Sequence, residues 1–429
     1  MPPANTPATK SGRSPLVTVF LTVFIDLLGF GIVIPLLPVY SKAYGASELS
    51  LGLLFASFSA MQFVFAPFWG RISDRWGRRP VLIGGLIGTS FSYVLFGLAS
   101  SMTGLFVARM LAGFFGANVA TAQAYIADVT GERNRARGMG MVGAAFGLGF
   151  TFGPLLGGEL AAWHIGLPGF VAAGLSASAA LYGFLRLEEP ERARDPSSSR
   201  LFGFATVREV AGNGRIGTVM LLYFLSILAF SGFETMFIRF GLARFPEVFG
   251  IEGPLASATI DQVLAAAPIA GRYMFFIGLI AAVIQGGLIR RLVPRFGEVR
   301  LIVAGPILLG ISLAIIGLAQ SWWVVILGCA VMPFGFGINN PSLNGLLSRA
   351  APADRQGAVL GLNQSVGSLA RVLGPLLAGV LFGALGPGAP FGAGAAILAV
   401  AALIAMAYRA RHGASFAAAA AAVDDEPTN

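Results

Sequence analysis

Four ionisable residues stand where few are tolerated: Asp26, Arg109, Glu234 and Arg371 each fall inside a long apolar run. A charged side chain at the centre of a bilayer costs at least ~2.5–3.5 kcal/mol, so each must be compensated or used. One reading is structural. Asp26 with Arg109, and Glu234 with Arg371, would form static ion pairs holding helices together, or Arg109 would reach out to the interface. The other reading is chemical. Burial favours the protonated form of a carboxyl, and a nearby guanidinium disfavours it. If helices move so that Asp26 and Arg109 change separation or wetness, the carboxyl takes up a proton in one state and releases it in the other.

Glu234 has Phe230 and Phe237 at helical spacing, an acid between aromatic rings that would suit an aromatic or cationic ligand. With 35 Phe in the chain, chance alignment explains the pattern equally well. Amides also recur in apolar runs: Gln62, Asn118 and Gln123 early, Asn339, Asn340 and Asn344 later, then Asn363 and Gln364. Gln364, Ser368 and Arg371 share a helix face. These side chains either bond helices to one another or line a polar part of a cavity, with Phe30 as a further lining candidate.

The elements that must carry these residues are membrane helices. The chain has 429 residues, of which 56% are hydrophobic and only 11% charged, where a soluble domain would carry about 25% charged residues. The net charge of +9 is spread in short clusters between apolar runs, the membrane pattern rather than the nucleic-acid one. One cysteine, Cys329, excludes an intrachain disulfide, and the two histidines make a conventional zinc site implausible.

Runs of roughly 20 apolar residues predict helices over 16–40, 49–72, 80–100, 104–128, 136–160, 166–187, 216–240, 271–293, 299–319, 322–347, 357–383 and 388–408. The fold class is thus an all-α membrane protein of twelve transmembrane helices. Arginines alternate: Arg71, Arg75, Arg78 and Arg79, then Arg133, Arg135 and Arg137, then Arg290, Arg291, Arg295 and Arg300, then Arg349 and Arg355, all fall on one side. That places both termini in the cytoplasm, with Arg239, Arg244 and Arg272 as exceptions on the outer side. The expected organisation is a cytoplasmic N-terminus (1–15), a six-helix bundle (16–187), a cytoplasmic linker (188–215), a second six-helix bundle (216–409) and a disordered cytoplasmic tail (410–429). The Lys-poor, Ala- and Gly-rich composition suggests a bacterial inner membrane.

The halves echo one another. Gly-Pro-Leu-Leu-Gly-Gly-Glu-Leu from Gly153 returns as Gly-Pro-Leu-Leu-Ala-Gly-Val-Leu from Gly374 (374 − 153 = 221). Arg75-Trp-Gly77 returns as Arg295-Phe-Gly297 (297 − 77 = 220). Such duplication is a common construction of transporters, with the site between the halves.

The loop Gly70-Arg-Ile-Ser-Asp74-Arg75-Trp-Gly77-Arg78-Arg79-Pro80 is similar to the signature loop of the major facilitator superfamily. Gly70 would let two helices approach, Gly77 would permit the turn, and Asp74 would face the arginines or a helix N-terminus. The resemblance implies that Arg78 bridges Asp74 to Asp128 as a cytoplasmic latch with Arg75 and Arg79, and that the second half, lacking an acid at the equivalent of Asp74, has no full latch. Phe24-Ile-Asp26-Leu-Leu-Gly29-Phe-Gly31 through Pro38, Arg109-Met-Leu-Ala-Gly113-Phe-Phe-Gly116, and the fifth-span run Gly149, Gly153, Pro154, Gly157, Gly158 resemble the twelve-helix drug–proton antiporters of that superfamily, the tetracycline exporters among them. That Gly-rich run reads equally as a close-packing face bent at Pro154.

What the resemblance implies is proton-coupled efflux of small amphipathic or cationic molecules by alternating access, with Asp26, Arg109 and Glu234 coupling protons. Partners would be the substrate, protons and the lipid bilayer, with no nucleic acid, no metal, no cofactor beyond the proton gradient, and a monomeric state. A proton symporter or uniporter importing a small solute is the alternative. No HExxH, GxSxG or Walker loop points to an enzyme.

Overall fold

A computed structural model describes residues 15–116, 118–129, 132–190, 214–284, 289–351 and 356–424. Among these residues the chain is helical throughout: α1 (Pro15–Val33), α2 (Leu37–Ala43), α3 (Glu48–Trp76), α4 (Arg78–Leu98), α5 (Met102–Phe115), α6 (Asn118–Val129), α7 (Glu132–Trp163), α8 (Leu167–Arg186), α9 (Gly214–Arg244), α10 (Ile260–Ala265), α11 (Ala267–Val283), α12 (Ile289–Phe296), α13 (Glu298–Leu318), α14 (Trp322–Ala350), α15 (Gln356–Leu385) and α16 (Ala389–Asp424).

Eleven helical stretches among the described residues are long and apolar enough to cross a bilayer. The expected fourth span is divided at Gly116 into α5 and α6. The carbonyl released there is not left bare: Gln62 Nε2 donates to Gly116 O at 2.8 Å. Prolines have a comparable effect in the first span, where Pro35 and Pro38 separate α1 from α2 by a 3-10 turn. Side chains fix several starts: Ser47 accepts from Ser50 N at the head of α3, and Ser101 from Gly104 N at the head of α5.

Two expected boundaries need correction. The eighth span begins earlier than 271–293, as α10 and α11, because Pro268 sits in the first turn of α11 where its missing N–H is harmless. The tail expected to be disordered from residue 410 continues as helix to Asp424, a run rich in alanine, the strongest helix former. The expected N-terminus up to residue 14, most of the linker (191–213) and residues 425–429 lie outside the described residues.

In the first half α1 packs against α7 and α8, and α4 against α8. In the second half α13 packs against α14 and α16, and α9 against α15. Two seams join the sets, α3 against α15 and α7 against α11. The end of the bundle carrying Gly77, Val129 and Leu187 is called the near end here. The opposite end, where Tyr40 OH bonds Ile165 O and Tyr44 OH bonds Ala99 O, is the far end.

Candidate functional site

Asp26 is buried on α1, and both its carboxylate oxygens have neutral partners. Ser176 Oγ donates to Oδ1 at 3.0 Å and Asn118 Nδ2 to Oδ2 at 3.2 Å. Asn118 is steadied in turn by Thr89 Oγ1 at 3.4 Å. The expected Asp26–Arg109 ion pair is absent from this state. The Arg109 guanidinium lies instead 4.3 Å from the Phe58 ring centroid and 5.9 Å from that of Phe30. It is buried, and its Nε and Nη1 find no hydrogen-bond partner among the described residues. Its electrostatic neighbours are Tyr93 and Glu234. Glu234, half-buried on α9 in the other half, feels both Arg371 and Arg109 without a direct ion pair. Charges from both halves therefore converge between them.

The aromatic and polar candidates divide. Phe30 sits among Phe58 (5.3 Å) and Phe150 (5.6 Å), and Phe230 stacks on Phe336 at 4.0 Å. Phe237 does not share that face with Glu234: it is buried in the apolar core, 5.0 Å from Phe233 and 6.2 Å from Trp322. Several amides bond helices together, Asn344 while also being exposed. Gln62 and Asn118 are engaged as described, Asn363 Nδ2 donates to Asn344 Oδ1 at 3.1 Å, and Asn339 Nδ2 to Ser226 Oγ at 2.8 Å. Asn340 keeps a buried Oδ1 without a partner among the described residues. Gln123 and Arg371 are half-buried, and Gln364 is exposed.

The glycines of α7 serve two different contacts. Gly149, Gly153 and Gly157 lie against Leu27, Gly31 and Ile32 of α1; a Cβ on Gly153 would come within 2.6 Å of Gly31 Cα. Gly158 faces the other half, where a Cβ would lie 2.7 Å from Ala267 O, and the Pro154 carbonyl abuts Gly271 there. The run is thus both an internal packing face of the first half and part of the seam between halves.

At the near end the signature loop closes on itself. Arg78 Nη1 lies 2.7 Å from Asp74 Oδ1, and Arg78 Nε donates to Asp128 Oδ2 at 3.0 Å. Ser73 Oγ accepts from the same guanidinium at 3.2 Å. Gly77 holds φ +116°, a conformation few other residues adopt, and turns α3 into α4. Arg79 donates to Phe184 O at 2.7 Å, while Arg75 is exposed. The close approach expected of Gly70 is not seen among the described residues, where nothing lies within 4 Å of a Cβ at that position.

These features set the context for the comparisons. The family model of the Major Facilitator Superfamily matches residues 19–375 and 250–422. The chain belongs to the major facilitator superfamily. It is 31% identical to the class C tetracycline resistance protein of Escherichia coli over 377 residues, spanning 86% of this chain and 90% of that one. It is 32% identical to multidrug resistance protein 1 of Bacillus subtilis over 372 residues, 85% and 89% of the two chains. Among solved structures, the human organic anion transporter MFSD10 superposes with TM-score 0.70 at 27% identity, over 91% of this chain and 98% of that one. The protein is accordingly an integral membrane transporter of small molecules, not an enzyme.

Sequence reasoning missed a second near-end ion pair in this superfamily member. Glu298 Oε1 lies 3.3 Å from Arg349 Nη2. The repeat offset could have found it, since 298 − 78 = 220 and 349 − 128 = 221. Tyr93, Ser176 and Glu189 were missed too, as isolated polar residues in spans or a linker carry no spacing signal.

The far end explains the three arginines that break the charge rule. Arg239, fully buried, reaches across the halves to Glu48 Oε1 at 2.8 Å and to Ala46 O at 2.8 Å. Arg272 bridges the halves to Glu159 at 2.7 Å, and Arg244 donates to Gln320 Oε1 at 2.9 Å. The near-end pairs described above each stay within one half.

Proposed function

We propose that this transporter exports small amphipathic or cationic molecules in exchange for protons, by alternating access of a site between the halves. The observation that carries the reading is Asp26: a buried carboxyl inside a span, held among the described residues only by neutral donors and so able to exist with or without a proton. The relatives named for tetracycline and multidrug resistance support export as the direction. Glu234 adds an acid where a cationic group or a second proton could reside.

In this reading the near end faces the cytoplasm of a bacterial inner membrane, with both termini there. The far-end ion pairs across the halves are the closed outer gate, and Arg78 with Asp74 and Asp128 is the cytoplasmic latch. The chain works as a monomer and needs no cofactor, the proton gradient supplying the energy. Binding of substrate or proton shifts the equilibrium between states only through its differential affinity for them. A cation and a proton competing for the same carboxyls provide that difference.

One observation favours a second reading, proton-coupled movement of an organic anion. Arg109 has two donors without a partner among the described residues, which an acid group would satisfy, and MFSD10 is named an organic anion transporter. The test is accumulation of a panel of fluorescent cationic and anionic dyes in efflux-deficient cells. It compares the wild type with Asp26→Asn at matched expression, with and without an uncoupler. Lowered accumulation of cationic dyes, abolished by both the mutation and the uncoupler, is the expected result. Accumulation that never falls removes the exporter reading, and uptake of anionic dyes with protons establishes the second.

A further inference from the structure

We propose that Glu189, in the segment leaving the sixth span, is a positioning residue of the near-end latch. Its carboxylate caps α4 from a distant point of the chain: Oε1 accepts from Arg78 N at 2.6 Å and Oε2 from Arg79 N at 2.9 Å. The first amides of a helix have no partner within the helix, and here Gly77, the residue before α4, has no side chain to offer. Gly77 instead leaves the room. A Cβ on it would lie 2.7 Å from the Glu189 carboxylate, so the glycine of the signature loop serves the docking of Glu189 as well as the turn.

The electrostatics require such a partner. A helix N-terminus is partially positive, and α4 opens with Arg78 and Arg79 and no acid in its first turn. Two cations at the positive end of a dipole are unfavourable until an anion joins them. In the second half the equivalent helix α13 opens with Glu298, its own first-turn acid. Only the first half has to take that charge from elsewhere.

Neighbouring contacts fix the same segment to α4 and α6, which carry Arg78 and Asp128 of the latch. Tyr125 OH, on α6 one turn before Asp128, donates to Glu188 O at 2.7 Å. Arg79 donates to Phe184 O and lies 5.4 Å from the Phe184 ring centroid. The backbone of Arg78 is thus held by Glu189 while its side chain is held by Asp74 and Asp128. The chain that connects the halves therefore leaves the first half from the latch itself. Displacement of this segment releases the cap and misplaces the guanidinium.

The inference depends on the transport reading for its kinetic readout alone. Amide hydrogen exchange of the purified full-length protein reads the cap without any substrate. Glu189→Ala is expected to speed exchange about fivefold at Arg78 and Arg79, the range of a lost helix cap. Peptides of α13 stay unchanged, and Glu189→Gln, keeping one acceptor oxygen, falls between. With a transported dye, turnover drops about threefold or more while KM holds, because the residue touches the latch and not the substrate. Unchanged exchange in Glu189→Ala overturns the proposal. So does normal turnover per folded molecule with only a lower thermal midpoint, which marks a merely structural cap. If the wild type moves no dye, the exporter reading fails and exchange alone decides the role of Glu189.

Discussion

The near ends of the two halves hold the same ion pair with its charges exchanged. In the first half a guanidinium at the start of α4 meets a carboxylate at the end of the fourth span, Arg78 with Asp128. In the second a carboxylate at the start of α13 meets a guanidinium at the end of α14, Glu298 with Arg349. Coulomb attraction is indifferent to which partner carries which sign, so duplication could preserve the geometry while the residues diverged. The surroundings are not indifferent. The exchanged pair puts a carboxylate at a helix N-terminus, where the dipole favours it, and needs no added acid. The first half places a cation there and surrounds it with Asp74, Asp128, Ser73 and Glu189. The second is a simpler bridge, and Glu298 Oε2 has no partner among the described residues.

Reversing the sign at one position breaks this comparison most severely. Arg78→Glu places a new carboxylate between Asp74 and Asp128, replacing attraction by repulsion at both of its ion pairs. Dye efflux is expected to fall at least about tenfold, equivalent to ~1.4 kcal/mol in rate, with membrane insertion intact by surface labelling. Glu298→Arg, the mirror change, meets the single described ion-pair partner Arg349 and is expected to cost less. Equal losses from the two would show that the halves depend on their near-end pairs alike.

The two turn glycines give the next largest contrast. Gly77 and Gly297 both hold positive φ, +116° and +72°, so alanine at either stores backbone strain on the order of 1–3 kcal/mol. A Cβ at Gly297 meets nothing within 4 Å among the described residues, whereas one at Gly77 runs into the Glu189 carboxylate. Thermal unfolding in detergent is therefore expected to rank Gly77→Ala below Gly297→Ala. Adding Glu189→Ala should narrow the gap, and an undiminished gap in the double mutant would detach Gly77 from Glu189.

What the sequence made legible follows the physics of each feature. Apolar spans and the repeat are written in hydropathy and in identity at a fixed offset, neither of which needs side-chain geometry; eleven of the twelve expected spans appear as helical stretches long enough to cross a bilayer among the described residues. Arg78 with Asp128 was readable because the signature loop resembles a known pattern. Partners within the spans were not. Asp26 chose Ser176 and Asn118 over Arg109, a choice made by helix rotation and by which rings cover the guanidinium. Phe237 matched the face of Glu234 by spacing but turned into the core beside Phe233 and Trp322. Glycine spacing in α7 announced close packing yet could not say that Gly153 meets α1 while Gly158 meets α11. The arginines at the far end looked like exceptions because their acids, Glu48 and Glu159, are distant in sequence.

The smallest expected effect is also the sharpest test of the exchanged pair. Arg349 is 62% exposed, so the bridge to Glu298 is screened on one side and contributes within the ~0–1 kcal/mol typical of surface pairs. Glu298, by contrast, is largely covered, and Gly345 leaves room for its carboxylate against α14. Arg349→Gln should therefore lower efflux by no more than about fivefold, through the loss of a weak bridge and a carboxylate left without its cation. Glu298→Arg alone sets two cations together at a helix N-terminus and should do worse. The double change, Glu298→Arg with Arg349→Glu, rebuilds the first-half polarity. If the ion pair is all that matters, efflux returns to the wild-type rate. If the helix dipole matters as well, recovery stops short, because the cation at the head of α13 has no counterpart of Glu189 to neutralise it. Partial recovery is the expected outcome, and full recovery would reduce the contrast between the halves to Coulomb attraction alone.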